Sequence, residues 1–166
     1  MDTVNGAFPQ RENTDDDPVS AGLARAEALC RSRAARFTEG RRLVLQIILE
    51  NGGPMGAYDI LERLNARGRR AAPNMVYRAL DFLIKQGLVH RLASLNAYMA
   101  CDRPTEPHAP QFLVCRTCGS VDEVADGAID SAVHQAAEAA DFAVNAPIVE
   151  VEGQCARCRD ADDAGG

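Results

Sequence analysis

Residues 73–101 read PNMVYRALDFLIKQGLVHRLASLNAYMAC, and the order of two periodicities within them decides the fold. Pro73 sits where a helix starts, since its missing N–H is one that a first turn leaves unpaired anyway. Over residues 74–86, Val76, Leu80, Leu83 and Ile84 share one face at helical spacing, while Asn74, Tyr77, Arg78, Asp81 and Lys85 face away. Gly87 suits the left-handed position that closes a helix. The pattern then changes to an apolar-rich run, a Ser94-Leu95-Asn96 turn region and a second run ending at Cys101. That is the outline of a β-hairpin.

Working upstream, a helix over about 56–67 buries Ile60, Leu61 and Leu64 and ends at Gly68, and the basic loop Arg67-Gly68-Arg69-Arg70 follows. Before it, Thr38 is a natural N-cap for a helix carrying Leu43, Val44, Ile47 and Ile48 on one face. Asn51-Gly52-Gly53-Pro54 stops that helix. An alanine- and arginine-rich helix covers about 21–36. Three helices, a short turn between the last two and a hairpin after them describe a winged helix-turn-helix.

The charge balance agrees with that assignment only locally. The 166 residues carry a net charge of −6, which by itself argues against a nucleic-acid partner. Residues 20–92 nonetheless hold 13 Arg and Lys against 6 Asp and Glu, or +7, while 1–19 carry −4 and 93–166 carry −9. A basic first half beside an acidic second half points to nucleic acid at the first half alone. A solvated arginine-rich helical surface is the plainer explanation of the same numbers.

Downstream of the hairpin, DRPTEPHAP (102–110) holds three prolines and reads as a hinge. QFLVCR and SVDEVA then look like short strands, residues 127–140 like a helix, and FAVNAPIVEVEG like a last strand. The expected architecture is α+β: an N-terminal winged helix-turn-helix domain and a small C-terminal α/β module. The expected divisions are a disordered acidic extension (1–19), the winged helix (20–101), the hinge (102–110), the module (111–158) and a disordered tail (159–166). Two small domains have modest cores, so a metal staple or a dimer interface would help them. No apolar run approaches the ~18–20 residues of a membrane span. The N-terminus lacks the basic start and apolar core of a secretory signal, so a cytoplasmic protein is expected. In that compartment six cysteines point to metal or redox chemistry rather than a disulfide framework.

Cys115-Arg-Thr-Cys118 and Cys155-Ala-Arg-Cys158 make the strongest chemical signal. Two intervening residues let both sulfurs of a pair turn back to one point, and two such knuckles supply a tetrahedral four-thiolate zinc site. Gly119 suits the turn. A closed shell of four thiolates leaves no open position, so the role is structural. A thioredoxin-like dithiol is the alternative, but it opens a helix, and neither pair here leads into a helical pattern. A zinc deaminase would need an H-x-E segment upstream of PCxxC, which is absent.

Arg78 on the fourth helix can bond guanine O6 and N7, and Tyr77 or Asn74 can reach a phosphate or a base edge. A third signal is scattered: His90 and Cys101 on the hairpin, His108 in the hinge, and Glu123 five residues past Cys118. None of these spacings is a signature. A lone strand histidine is ordinarily structural, and Cys101 reads equally as a small buried hydrophobe. Cys30 reads as core packing and His134 as a helix residue.

At these residues the chain resembles the Fur family of bacterial metal-dependent repressors, and in particular its zinc-sensing subgroup. The resemblance runs through FTEGRRLVL (37–45), GAYDILERL (56–64), residues 73–101, FLVCRTCGSVDEV (112–124) and VEVEGQCARC (149–158). It implies a winged-helix DNA-binding domain, a hinge and a C-terminal dimerisation domain. Carried over by position, Cys115, Cys118, Cys155 and Cys158 hold a structural zinc, while His90, Cys101, His108 and Glu123 form a regulatory one, giving two zinc ions per chain. Asp122 competes with Glu123. Tyr58 and Arg78 match positions that contact bases. The implied function is a homodimeric repressor, not an enzyme, with a palindromic DNA operator as partner and neither a membrane nor a small-molecule substrate. Iron-sensing members carry an HHDH-like cluster where this chain has EPHAPQFLVC. One thiolate, two imidazoles and one carboxylate also favour tetrahedral zinc over octahedral ferrous iron. The other expectations are an iron- or peroxide-responsive repressor of the same fold, a CxxC-based redox or zinc enzyme, and a zinc-stapled module binding only nucleic-acid backbone.

Overall fold

The computed structural model describes residues 17–106 and 108–163. The expected acidic extension lies outside the described residues up to position 16. Its last residues are helical instead: α1 (Pro18–Ser32) starts inside the segment assigned to disorder. Asp17 supplies the reason, since its carboxylate accepts the N–H groups of Val19 and Ser20, each at 3.2 Å. Pro18 at the first helical position needs no such partner. Further along α1, Leu23, Ala26 and Cys30 are buried in the core, Cys30 in the packing role expected of it.

Next come α2 (Glu39–Asn51), α3 (Ala57–Ala66) and α4 (Pro73–Lys85). Gly52 ends α2 with φ +66° and returns its N–H to the Ile48 carbonyl, the left-handed closure that glycine adopts freely. The connection between α3 and α4 spans residues 67–72 and holds the basic loop expected there. The core-facing residues of α4 are Val76, Ala79, Leu80 and Leu83. Ile84, expected among them, is 36% exposed at the rim.

The hairpin follows as β1 (Val89–Leu92) and β2 (Ala97–Ala100), antiparallel from Val89 opposite Ala100 to Leu92 opposite Ala97. Met55 and Tyr98 exchange backbone hydrogen bonds of 2.9 and 2.8 Å. These tie the wing to the segment before α3. Buried Val44, Ile47, Ile48, Ile60, Leu64, Val76, Leu80, Leu83 and Val89 fill one core shared by helices and wing.

The C-terminal module contains β3 (Gln111–Cys115), β4 (Val121–Val124), α5 (Gly127–Ala139), β5 (Val149–Gly153) and α6 (Ala156–Asp163). Its sheet has the order β4-β3-β5, with β4 antiparallel and β5 parallel to β3. The parallel pair requires a crossover, and α5 lies within it. Residues 159–163, expected as disordered tail, instead continue α6. The acidic composition suggested disorder, but the Cys155 carbonyl accepts the N–H groups of Cys158 and Arg159 at 3.0 Å each, and Cys158 is buried. The chain is anchored where it enters the helix. Among the described residues no helix is long and apolar enough to cross a membrane.

A second, small apolar cluster joins the two halves: Leu92 and Met99 of the wing pack with Phe112 and Val114 of β3. The sheet register sets which side chains face the wing. Phe112 stands opposite Glu123 on β4 and opposite Glu150 on β5, so these three project from one face as a single rung. The next rung, Asp122, Leu113 and Val151, projects from the other face, where Leu113 and Val151 are exposed.

Candidate metal centres and nucleic-acid interface

The seam between wing and sheet brings together His90, Cys101, His108 and Glu123. One ligand atom from each lies within 4.8 Å of all the others. His90 is on β1, Cys101 directly follows β2, His108 is in the hinge and Glu123 is on β4, so the cluster draws on the wing, the hinge and the sheet. Glu123 Oε1 lies 2.7 Å from His108 Nε2 and 3.5 Å from His90 Nε2, and Cys101 Sγ lies 3.5 Å from His108 Nε2. The Glu123 side chain is 2% exposed, and the two imidazoles are 12–14% exposed. His108 Nδ1 is 2.8 Å from the Glu106 carbonyl. Donating its proton there leaves Nε2 to face the cluster with a lone pair, the outer-shell arrangement of metal-binding histidines.

The electrostatics of this cluster call for a cation. Burial pushes the Cys101 thiol up to about 12, and the Glu123 charge adds to the shift. Burial also works to raise the carboxyl of Glu123. The His90 side chain, the Asp102 N–H and the neighbouring His108 outweigh it and hold Glu123 below the ordinary glutamate range. His90 Nε2 is buried with only a long, 3.5 Å approach to Glu123 Oε1 and no well-formed hydrogen bond, and a weakly satisfied buried atom of this kind is stabilised by a ligand that takes up its lone pair. A thiol, two imidazoles and a carboxylate, closely spaced and nearly dry, fit a tetrahedral divalent ion of the zinc type. Asp122 is not part of the set, because it leaves the strand on the opposite face beside Leu113.

The four cysteines of the two CxxC pairs also converge within 4.8 Å, and none is in a disulfide. Cys118 Sγ and Cys155 Sγ are 3.8 Å apart, matching the ~3.8 Å edge of a sulfur tetrahedron whose metal–sulfur bonds are about 2.3 Å. Cys115 closes β3, and Gly119, with φ +72°, returns its N–H to the Cys115 carbonyl at 2.9 Å. The second pair differs from expectation, since Cys155 leads directly into α6. A helix after a CxxC is a redox-motif feature. Here, however, Cys118 of one pair lies 3.8 Å from Cys155 of the other and all four sulfurs converge on one point, which is a clamp rather than a dithiol.

Protons are shared unequally within this cluster. The Ser120 hydroxyl and N–H, with Cys115, hold Cys118 down to about 5. A hydrogen bond with Cys155, burial and the other sulfurs push Cys158 up to about 12. Arg157 Nη2 lies 3.8 Å from Cys118 Sγ and offsets part of the negative charge. Neither Ser120 nor Arg157 carries a sequence signal for this role.

In the winged helix, Asn74, Tyr77 and Arg78 of α4 and Tyr58 of α3 are all exposed. Tyr58 is 72% exposed and shares a shallow depression with Ala57, Leu61, Pro73, Val76 and Tyr77. Arg78 has no ion pair among the described residues. The basic loop is less free than its sequence implies: Arg67 pairs with Glu50, and Arg69 with Glu39 at 3.6 Å. His134 lies 3.3 Å from Asp130 on the exposed surface of α5, apart from both clusters.

A winged helix joined to a thiol-clamped sheet through a four-ligand seam defines a metal-dependent DNA-binding regulator. The chain belongs to the ferric uptake regulator family, whose pattern matches residues 32–151. A zinc uptake regulation protein of Escherichia coli (strain K12) is 38% identical over 139 residues, covering 82% of this chain and 80% of that one. A solved zinc uptake regulator complexed with zinc and DNA superimposes with a TM-score of 0.85 at 34% identity, over 89% of this chain and 99% of the other. Holo XcZur superimposes at 0.78 with 38% identity, over 84% and 98% of the two chains. Apo XcZur reaches only 0.51, at 36% identity over 87% and 99%. Members of this family are transcription regulators, so the redox- and zinc-enzyme alternatives fall away.

Proposed function

We propose that this chain is a zinc-responsive transcriptional repressor, acting as a homodimer on a palindromic operator, with genes of zinc uptake as its targets. Cys115, Cys118, Cys155 and Cys158 hold a structural zinc, and His90, Cys101, His108 and Glu123 a regulatory one, two ions per chain. The observation that carries this reading is the convergence of four ligand atoms within 4.8 Å from the wing, the hinge and the sheet. Such a set exists only in one relative placement of the two halves. A bound zinc supplies the positive charge that this buried carboxylate and thiol lack. The closer likeness to the holo than to the apo form of XcZur supports the same placement as the metal-loaded one.

The chain's own residues do the rest. Closure fixes the wing, and with it α4, against the sheet module. The exposed outer sheet face (Leu113, Val151) and the open edge of β5 suit pairing with a second copy, which sets two recognition helices for successive major grooves. Arg78, Asn74, Tyr77 and Tyr58 are the side chains placed to contact DNA. A cytoplasmic location follows from that partner. If closure is to raise operator affinity ~100-fold, the regulatory ion must favour the closed placement by about 2.7 kcal/mol.

Metal analysis combined with operator binding across buffered free zinc tests this directly. One zinc per chain should persist at low free zinc, and a second should load in step with operator binding. Operator binding indifferent to zinc, or restored to stripped protein by ferrous iron instead, refutes the proposal.

A further inference from the structure

The rung that faces the wing makes three contacts of different chemistry, and two are already explained. Glu123 belongs to the ligand cluster and Phe112 to the apolar cluster. Glu150, at the β5 end of the rung, belongs to neither. Its Oε1 accepts the N–H of Ala93 at 2.7 Å, and its Oε2 accepts the N–H of Ser94 at 2.9 Å. Both amides open the wing's turn, just past the last hairpin pair of Leu92 and Ala97, where the ladder offers them no acceptor. Burial works to raise the Glu150 carboxyl. Hydrogen bonds from the Ser94 side chain and from the two amides outweigh it and hold the group below the ordinary glutamate range. A carboxylate on two successive amides is a charge-assisted, two-pronged contact.

This contact spans the same boundary as the ligand cluster, yet Glu150 is not a ligand and stands two strands away from Glu123. We propose that Glu150 is a positioning residue, a latch that seats the wing turn on the sheet and favours the closed placement in which His90, Cys101, His108 and Glu123 meet. The proposal rests on the zinc-sensor reading and deepens it. Latch and ligand set both stabilise the closed state, so they are thermodynamically linked. Without the latch, the regulatory ion must supply more of the closing free energy and binds more weakly. Once that site is saturated, the closed state is restored.

The test uses the full-length chain carrying Glu150→Ala or Glu150→Gln. In Glu150→Ala the free zinc giving half-maximal operator binding should rise about tenfold. At saturating zinc, operator affinity should return to the wild-type value. Glu150→Gln, which keeps the shape and one acceptor oxygen, should fall between the two. Hydrogen exchange at the Ala93 and Ser94 amides, followed by NMR, should quicken in both variants. An unchanged zinc midpoint in Glu150→Ala overturns the latch, as does a loss of operator affinity that saturating zinc cannot restore. Wild-type protein that binds operator without regard to zinc would instead refute the sensor reading. The amide exchange of the metal-free protein then judges the latch by itself, and unchanged exchange overturns it.

Discussion

Replacing Cys101 with serine should separate the two metal sites and expose a proton coupled to the regulatory one. The Cys101 thiol is buried and lifted from its usual value of 9.0 to about 12, so it carries its proton at any physiological pH. Only the thiolate ligates, so loading the site expels that proton. Burial and the Glu123 charge, which hold the proton on the thiol, both work against ligation. The expelled proton also sets a pH slope: while the thiol remains protonated, each unit of pH should tighten regulatory zinc binding about tenfold. A competition titration against a chelator of known affinity at pH 7.5 and 8.5 reads this slope, in a window above the ordinary imidazole range. In Cys101→Ser the slope should vanish. Regulatory affinity should fall at least ~100-fold, the upper cost of losing even an outer-shell partner. About one zinc per chain should stay in place, because none of Cys115, Cys118, Cys155 and Cys158 is touched. A wild-type affinity flat across that window, or zinc-dependent operator binding that survives in Cys101→Ser, would refute the assignment of Cys101 as a ligand.

Arg78→Ala should cost about 1–3 kcal/mol on the specific operator and little on random DNA; an equal loss on both, measured by competition binding, would make Arg78 a phosphate contact. Phe112 is 1% exposed at the centre of the interdomain cluster, so Phe112→Ala should lower folding stability by about 3–5 kcal/mol. Because its ring lies 5.4 Å from that of His90, the same change should weaken regulatory zinc binding; a thermal melt and a zinc titration on one preparation check both. Cys118→Ser should release the structural zinc to mild chelation, and retention of a full complement under chelator would contradict the four-thiolate site.

The winged helix was legible in the sequence because its signals are local. Pro73, Gly87 and the switch from helical spacing to alternation each act within a few residues. The four-cysteine cluster was legible because its spacing is itself the geometry. The seam was not, since His90, Cys101, His108 and Glu123 lie on four separate segments and meet only through strand register. The resemblance to a family, not periodicity, drew them together. Asp122 and Glu123 could not be separated by composition, whereas the pairing of Asp122 with Leu113 and of Glu123 with Phe112 separates them at once. Glu150 carries no signal for the same reason, as one acid in an alternating VEVEG strand. At the two ends, Pro18 and residues 159–163, acidic composition suggests disorder, whereas Asp17 caps one helix and Cys155 anchors the other.

The two clusters are connected through the sheet. The parallel pairing of β3 and β5 is the module's least local contact, and closing so long a connection is entropically costly. The crossover helix α5 offers little help, since none of its residues is buried in the chain. The four cysteines sit at the end of this pairing: Cys115 stands opposite Gly153, the Arg116 N–H reaches the Gly153 carbonyl at 2.9 Å, and the Cys155 N–H points to Cys115 Sγ at 3.4 Å. A clamp there fixes the β3–β5 register, which places Glu150 beside Phe112, while the Cys115–Cys118 knuckle closes the β3–β4 turn, whose pairing places Glu123 beside Phe112 on the same rung facing the wing. On the proposed reading, the structural zinc therefore does more than hold a small domain together. It sets the face on which the regulatory ligands and the Glu150 latch are aligned, so loss of the clamp should be felt at His90 and Cys101, although neither belongs to it.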